Sequence, residues 1–101
     1  MAVPSEFLRE KPIRGIIIIR NLKTDRIYLK KTEDAVRSYK DERFRLDLSM
    51  HESKELQKEY TALGLELFTI ELECEAKDGE DLDELLSRTR SIYAERGYSF
   101  Y

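Results

Sequence analysis

The chain has 101 residues, 41% hydrophobic and 39% charged, with 18 Lys and Arg against 21 Asp and Glu for a net charge of −3. That length suits one domain, and this balance of apolar and charged residues excludes collagen-like, low-complexity and wholly disordered chains. A single cysteine, Cys74, and a single histidine, His51, exclude an internal disulfide and a structural zinc site built from Cys and His.

Residues 1–13 read as a polar arm interrupted by Pro12, with Phe7 and Leu8 as its apolar docking points. The arm lacks the apolar stretch of a secretory signal, and the longest apolar run, Ile16 to Ile19, is far short of the ~20 residues that cross a bilayer. A cytoplasmic protein without a membrane segment is therefore expected, and one unpaired cysteine suits that reducing compartment. Residues 14–101 then form a single domain. Arg14 to Arg20 reads RGIIIIR, a strand buried on both faces. Residues 21–25 make a turn, and Arg26 to Leu29 a short second strand that closes a hairpin.

Thr32 caps a first helix whose first turn carries Glu33 and Asp34. Its apolar line is Ala35, Val36, Tyr39, the stem of Arg43, and Leu46. Ser53 caps a second helix with Leu56, Tyr60 and Leu63 on one side, closed by Gly64. Residues 65–75 alternate as a half-buried strand. Phe68, Ile70, Leu72 and Cys74 face the core, Cys74 as a buried thiol, while Glu71, Glu73 and Glu75 form a solvated outer face. After a break at residues 78–80, Leu82, Leu85, Leu86, Thr89, Ile92 and Tyr93 mark a third helix ending near Gly97. Tyr98, Phe100 and Tyr101 fold back as core cover, the alternative being an exposed tail for a partner. The order ββααβα predicts an α+β fold, a small three-stranded antiparallel sheet flanked by helices.

Charge is divided along the chain. Residues 1–58 hold 14 Lys and Arg against 10 Asp and Glu, and residues 59–101 hold 4 against 11. Lys30, Lys31, Arg37, Lys40 and Arg43 cluster after the second strand and would present a basic face to DNA or RNA through residues 26–45. Arg37 and Lys40, with Asp41 and Glu42 of the same helix, also suit ordinary i,i+4 surface pairing, the plainer reading.

Gly15-Ile16-Ile17, followed ten residues later by Tyr28-Leu29-Lys30, resembles the paired motifs of the GIY-YIG nucleases. RGIIIIRN is similar to that family's first strand down to Asn21. His51, Glu55-Leu56-Gln57, Tyr60, Gly64 and Phe68 resemble its central stretch, and Glu95-Arg96-Gly97-Tyr98 resembles its closing motif. The likeness spans residues 14–99 and implies the ββααβα fold with metal-dependent phosphodiester cleavage. A negatively charged transition state there needs a cation and an arginine.

Carried over position by position, the resemblance implies a damaged site. The first-motif tyrosine becomes Ile17, which has no hydroxyl to activate water. Tyr28 is retained, and the glycine after it becomes Lys30. The arginine position becomes Ser38, with Arg37 one residue and about 100° away around the helix. The metal-holding glutamate falls on Asp83, next to Glu84, and the final asparagine on Ser99.

The expectation is a degenerate, non-catalytic domain that binds nucleic acid or a protein. The alternative is an endonuclease that uses Mg²⁺ or Mn²⁺ and a rearranged set of Tyr28, Arg37 and Asp83 or Glu84. A self-associating structural protein is the third reading. In the plainer view Tyr28 is a strand aromatic, and His51 orients the loop before the second helix instead of binding metal.

Overall fold

Four consecutive isoleucines set the middle of the fold. They lie on β1 (Gly15–Asn21), the central strand of a three-stranded antiparallel sheet ordered β2-β1-β3, with β2 at Ile27–Thr32 and β3 at Phe68–Glu75. The computed structural model describes residues 11–101, so Phe7 and Leu8 lie outside the described residues. Ile17 and Ile19 pack toward α1 (Ala35–Asp47) and α2 (Lys54–Leu63), while Ile16 and Ile18 pack toward α3 (Leu82–Glu95). A strand with a neighbour on each edge and helices on each face has no solvent side, which is why an unbroken β-branched run suits it. Each such side chain contributes roughly 1.5–3 kcal/mol by burial. The observed order is ββααβα, an α+β fold as expected.

Several boundaries differ from the sequence-based expectation. Ile13, assigned to the polar arm, is buried in the core, and its carbonyl accepts the Ala35 N–H at 2.9 Å. The turn after β1 is closed by Asn21, whose Oδ1 accepts the N–H groups of Lys23 and Thr24, with Asp25 in the left-handed region at φ 60°. β2 then starts at Ile27 and runs on to Thr32, past the expected end at Leu29. The added residues Lys30 and Lys31 stay in register with Ile17 and Ile16 because their ammonium groups find acids on opposite sides of the sheet. Thr32 is thus the end of a strand, and Asp34 caps α1 by accepting the Arg37 N–H. Ser53 does cap α2, and Gly64 at φ 88° does end it.

A single-turn 3₁₀ helix at Leu65–Leu67 precedes β3, which starts at Phe68. The β1–β3 register slips between Ile16 and Ile17: Ile17 faces Leu72, but Ile16 faces Cys74, leaving Glu73 as an extra residue. This bulge breaks the predicted alternation. Phe68, Ile70 and Leu72 face α1 and α2, whereas Cys74 turns to α3, half-buried, with Sγ 3.8 Å from Thr89 Oγ1. Glu73 accepts a hydrogen bond from the Tyr93 hydroxyl, so the three glutamates are not one solvated ladder. Gly15 is required beside the bulge, since a Cβ there would sit 2.1 Å from the Cys74 carbonyl oxygen.

On α3, capped by Asp81, the buried line is Leu82, Leu85, Thr89 and Tyr93. Ile92, expected in that line, lies one residue off it and is exposed. The C-terminal aromatics cover the core as expected. Tyr98 and Phe100 pack on the α3 side and Tyr101 on the other, while residues 99–101 hydrogen-bond through Ser99 and Tyr101 to both backbone groups of Ile27. Among the described residues no helix is long and apolar enough to cross a membrane.

Candidate functional site

β2, α1 and the loop before α2 meet at one cluster of charge. Alternation along β2 points Tyr28 and Lys30 to the α1 side. α1 contributes Glu42, which shares the buried stripe of Ala35, Tyr39 and Leu46 at helical spacing. The loop contributes His51 and Glu52. Sequence reasoning placed Glu42 in surface pairing, but its side chain is only 1% exposed. The spacing could have revealed it, because residue 42 is three after Tyr39 and four before Leu46.

The Glu42 carboxylate lies between two nitrogens. His51 Nε2 is 3.0 Å from Oε2, and Lys30 Nζ is 3.4 Å from Oε1. Neither approach has the alignment of a hydrogen bond, so both carboxylate oxygens and His51 Nε2 are buried without one. Lys30 Nζ is also 3.0 Å from Glu52 Oε1, the atom that accepts from the Tyr28 hydroxyl. The Tyr28 and His51 rings meet edge-on with centroids 5.1 Å apart. Burial, and then the Glu52 carboxylate, push the Tyr28 phenol well above its ordinary value. The Tyr28 hydroxyl first, and Lys30 second, hold the Glu52 carboxyl below its ordinary range.

His51 orients its loop, as the plainer reading expected. Its Nδ1 accepts the Ser53 N–H at 2.9 Å, and its own N–H donates to Gln57 Oε1, whose amide donates to the Leu46 carbonyl at the end of α1. Glu42, His51 and Glu52 bring three ligand-type atoms within 4.8 Å of one another. The donor chemistry nevertheless does not suit a metal ion. With Nδ1 accepting, the ring proton of a neutral His51 sits on Nε2, so a metal at Nε2 would require an imidazolate. The Lys30 ammonium already supplies positive charge to both carboxylates.

The remaining sequence candidates lie apart from this cluster. Lys31 points to the other side of the sheet and pairs with Asp83 at 2.5 Å near the start of α3. Glu84 is exposed beside it and, like Asp83, directs its backbone N–H to Asp81. Among the described residues neither acid joins a group of three ligand-type atoms, and Asp83 shares its carboxylate with Lys31. Ser38 faces the sheet, with Oγ 2.5 Å from Thr32 Oγ1, which leaves Arg37 on the exposed surface. Arg43 reaches inward to the Tyr60 hydroxyl at 3.3 Å, and Lys40 is exposed. Ile17 has no exposed surface at all. Ser99 lies in the C-terminal strap, its carbonyl on the Ile27 N–H. Of the five cations predicted to form one basic face, Lys30, Lys31 and Arg43 are engaged internally, and Arg37 and Lys40 share the outside of α1.

No protein-family model matches the chain, and no curated protein does. Two solved structures share its fold. The catalytic domain of homing endonuclease I-TevI superposes with a TM-score of 0.68 and 22% identity, covering 81% of this chain and 86% of that one. A mutant of the catalytic domain of intron endonuclease I-TevI gives a TM-score of 0.65 at 22% identity, covering 82% of each chain. At such low identity the likeness is one of architecture. With its three-stranded antiparallel sheet between helices in the order ββααβα, the chain has the GIY-YIG fold of the I-TevI catalytic domain.

Proposed function

We propose that this chain is a degenerate, non-catalytic GIY-YIG-like domain that works as a nucleic-acid binding module. One observation carries the reading: Ile17, at the position where the resemblance requires a water-activating hydroxyl, is fully buried in the apolar core. A side chain without a proton to exchange, and without contact to solvent, cannot prepare a nucleophile. The surrounding polar groups are spent on one another, Tyr28 on Glu52 and Lys30 on Glu52 and Glu42. Arg37 and Asp83, needed by the rearranged-site alternative, lie respectively on the outside of α1 and in an ion pair with Lys31 across the sheet. The nucleases whose catalytic domains share this fold support nucleic acid as the partner class. A lone cysteine, with no internal disulfide to form, suits a cytoplasmic setting.

The test is a combined nicking and binding assay on supercoiled plasmid and on short single and double strands. The expected result is intact plasmid after hours at equimolar protein with Mg²⁺ or Mn²⁺, together with binding that weakens steeply as salt rises. Ion-dependent nicking overturns the non-catalytic reading. Absence of binding to every nucleic acid at low salt overturns the binding reading and points to a protein partner or self-association.

A further inference from the structure

The outer face of α1 carries exposed cations and a largely exposed aromatic. Phe44 is 63% exposed and Leu48, one turn on, is 51% exposed. Met50, 66% exposed, is tied to the last turn by its N–H on the Arg45 carbonyl at 2.7 Å. Three of the six large exposed apolar residues among those described thus gather at one helix end. Arg37 and Lys40 precede Phe44 by seven and four residues, on the same side of the helix and within about 10 Å along its axis. Neither has an ion-pair partner among the described residues, and Arg45 is exposed next to Phe44. Asp41 is the acid on this side, while Asp47 is occupied by the Tyr60 hydroxyl at 2.5 Å.

From this surface we infer that the chain binds single-stranded nucleic acid on the outside of α1, with Phe44 as a stacking plate for an unpaired base and Arg37 and Lys40 on the phosphates. The inference rests on the binding reading above and adds the strand class and the face. Protein interfaces gather apolar residues at a centre depleted of charge. Here Arg37 and Lys40 lead along the helix to Phe44, with Arg45 exposed beside it, which suits a strand that offers a negative backbone and flat bases together. A duplex keeps its bases stacked inside and offers no free base face to a convex helix surface. The face is separate from the Glu42 cluster, which α1 holds on its opposite, sheet-facing side.

The test is fluorescence anisotropy with the whole chain. Its probes are a labelled homothymidine strand of about 20 nucleotides, longer than the ~4–16 of a typical single-strand site, and a duplex of equal length. Wild type is expected to prefer the single strand. Phe44→Ala weakens binding by about 5- to 150-fold, the range of one stacked base. Phe44→Tyr keeps affinity within about threefold, and Phe44→Leu loses as much as Phe44→Ala because it is apolar without a flat face. Arg37→Gln with Lys40→Gln lowers the slope of log affinity against log salt by about 1.4, two single-strand phosphate contacts at ~0.7 each. Equal affinity for duplex, or full binding by Phe44→Ala or Phe44→Leu, overturns this face while leaving the binding reading in place. If wild type binds no nucleic acid, the reading falls and this inference with it.

Discussion

The two faces of the sheet are built on the same strands but on different chemistry. Toward α3, Ile16, Ile18, Ile27, Leu29, Leu82, Leu85 and Tyr93 form an apolar layer, with no buried carboxylate among the described residues. The Lys31–Asp83 pair lies at its rim, and Arg20 lies over the Tyr98 ring with its Nε buried. Toward α1 and α2, an equally apolar layer of Ile17, Ile19, Tyr39, Leu46, Leu56 and Phe68 encloses, at one end, a buried carboxylate, an imidazole and a half-buried ammonium. Charge is costly to bury unless it is compensated. Its presence on one face marks where the fold gives up stability for polar groups, and in this chain those groups neutralise one another.

The largest effect is expected at the strand that both faces share. Gly15→Ala forces a Cβ against the Cys74 carbonyl and should cost roughly 4 kcal/mol or more, measured by urea unfolding. Leu85→Ala on the apolar face should cost about 3 kcal/mol through lost burial and a cavity. On the charged face, Glu42→Leu takes the carboxylate from His51 and leaves Lys30 with Glu52 alone, and should cost about 2 kcal/mol, the Glu52 pair and the partial exposure of Lys30 softening the loss. Adding Lys30→Met should recover most of it. A double variant no better than the single one would mean that the ammonium is not what makes Glu42 necessary.

Each face also holds a phenol that alkali will read. Burial and the Glu73 carboxylate push Tyr93 up to about 12, and burial and Glu52 raise Tyr28 further. A phenol raised in the folded state stabilises it fully below its ordinary value near 10, and that contribution is lost as pH climbs from there through the folded value. Ultraviolet titration should therefore show phenols that ionise late, together with stability falling above pH ~10, and Tyr93→Phe should remove the step near 12. The smallest effect is at Glu52. Its lowered carboxyl stabilises the fold above its ordinary value near 4.3, and the contribution disappears as pH falls through the lowered one. Glu52→Gln should cost less than about 1 kcal/mol at neutral pH, since the pair is partly exposed.

Most of the scaffold was legible in the chain because local signals and burial agree there. The isoleucine run, Ser53 and Gly64 around α2, and the closing aromatics all behave as their types dictate. What was not legible depends on contacts distant in sequence. The bulge opposite Ile16 and Ile17 leaves no mark in β3 and reverses the side that Cys74 takes. Thr32 yielded the cap to Asp34 because β2 was extended by two lysines whose acids come from Glu42, Glu52 and Asp83. Of the candidate site, Tyr28, Lys30 and His51 were named, but Glu42 was read as surface pairing and Glu52 was not named. A carboxylate inside a helix stripe reads as surface until the cation facing it is known.

The sideways turn of Cys74 gives the molecule a clock. Its sulfur sits between β3 and α3 beside Thr89, and burial raises the thiol above its usual range, so little thiolate is present at neutral pH. Reaction with a maleimide should then wait for α3 to lift from the sheet. The labelling rate, compared with that of the unfolded chain, would time the breathing of that helix without adding a probe or changing a residue.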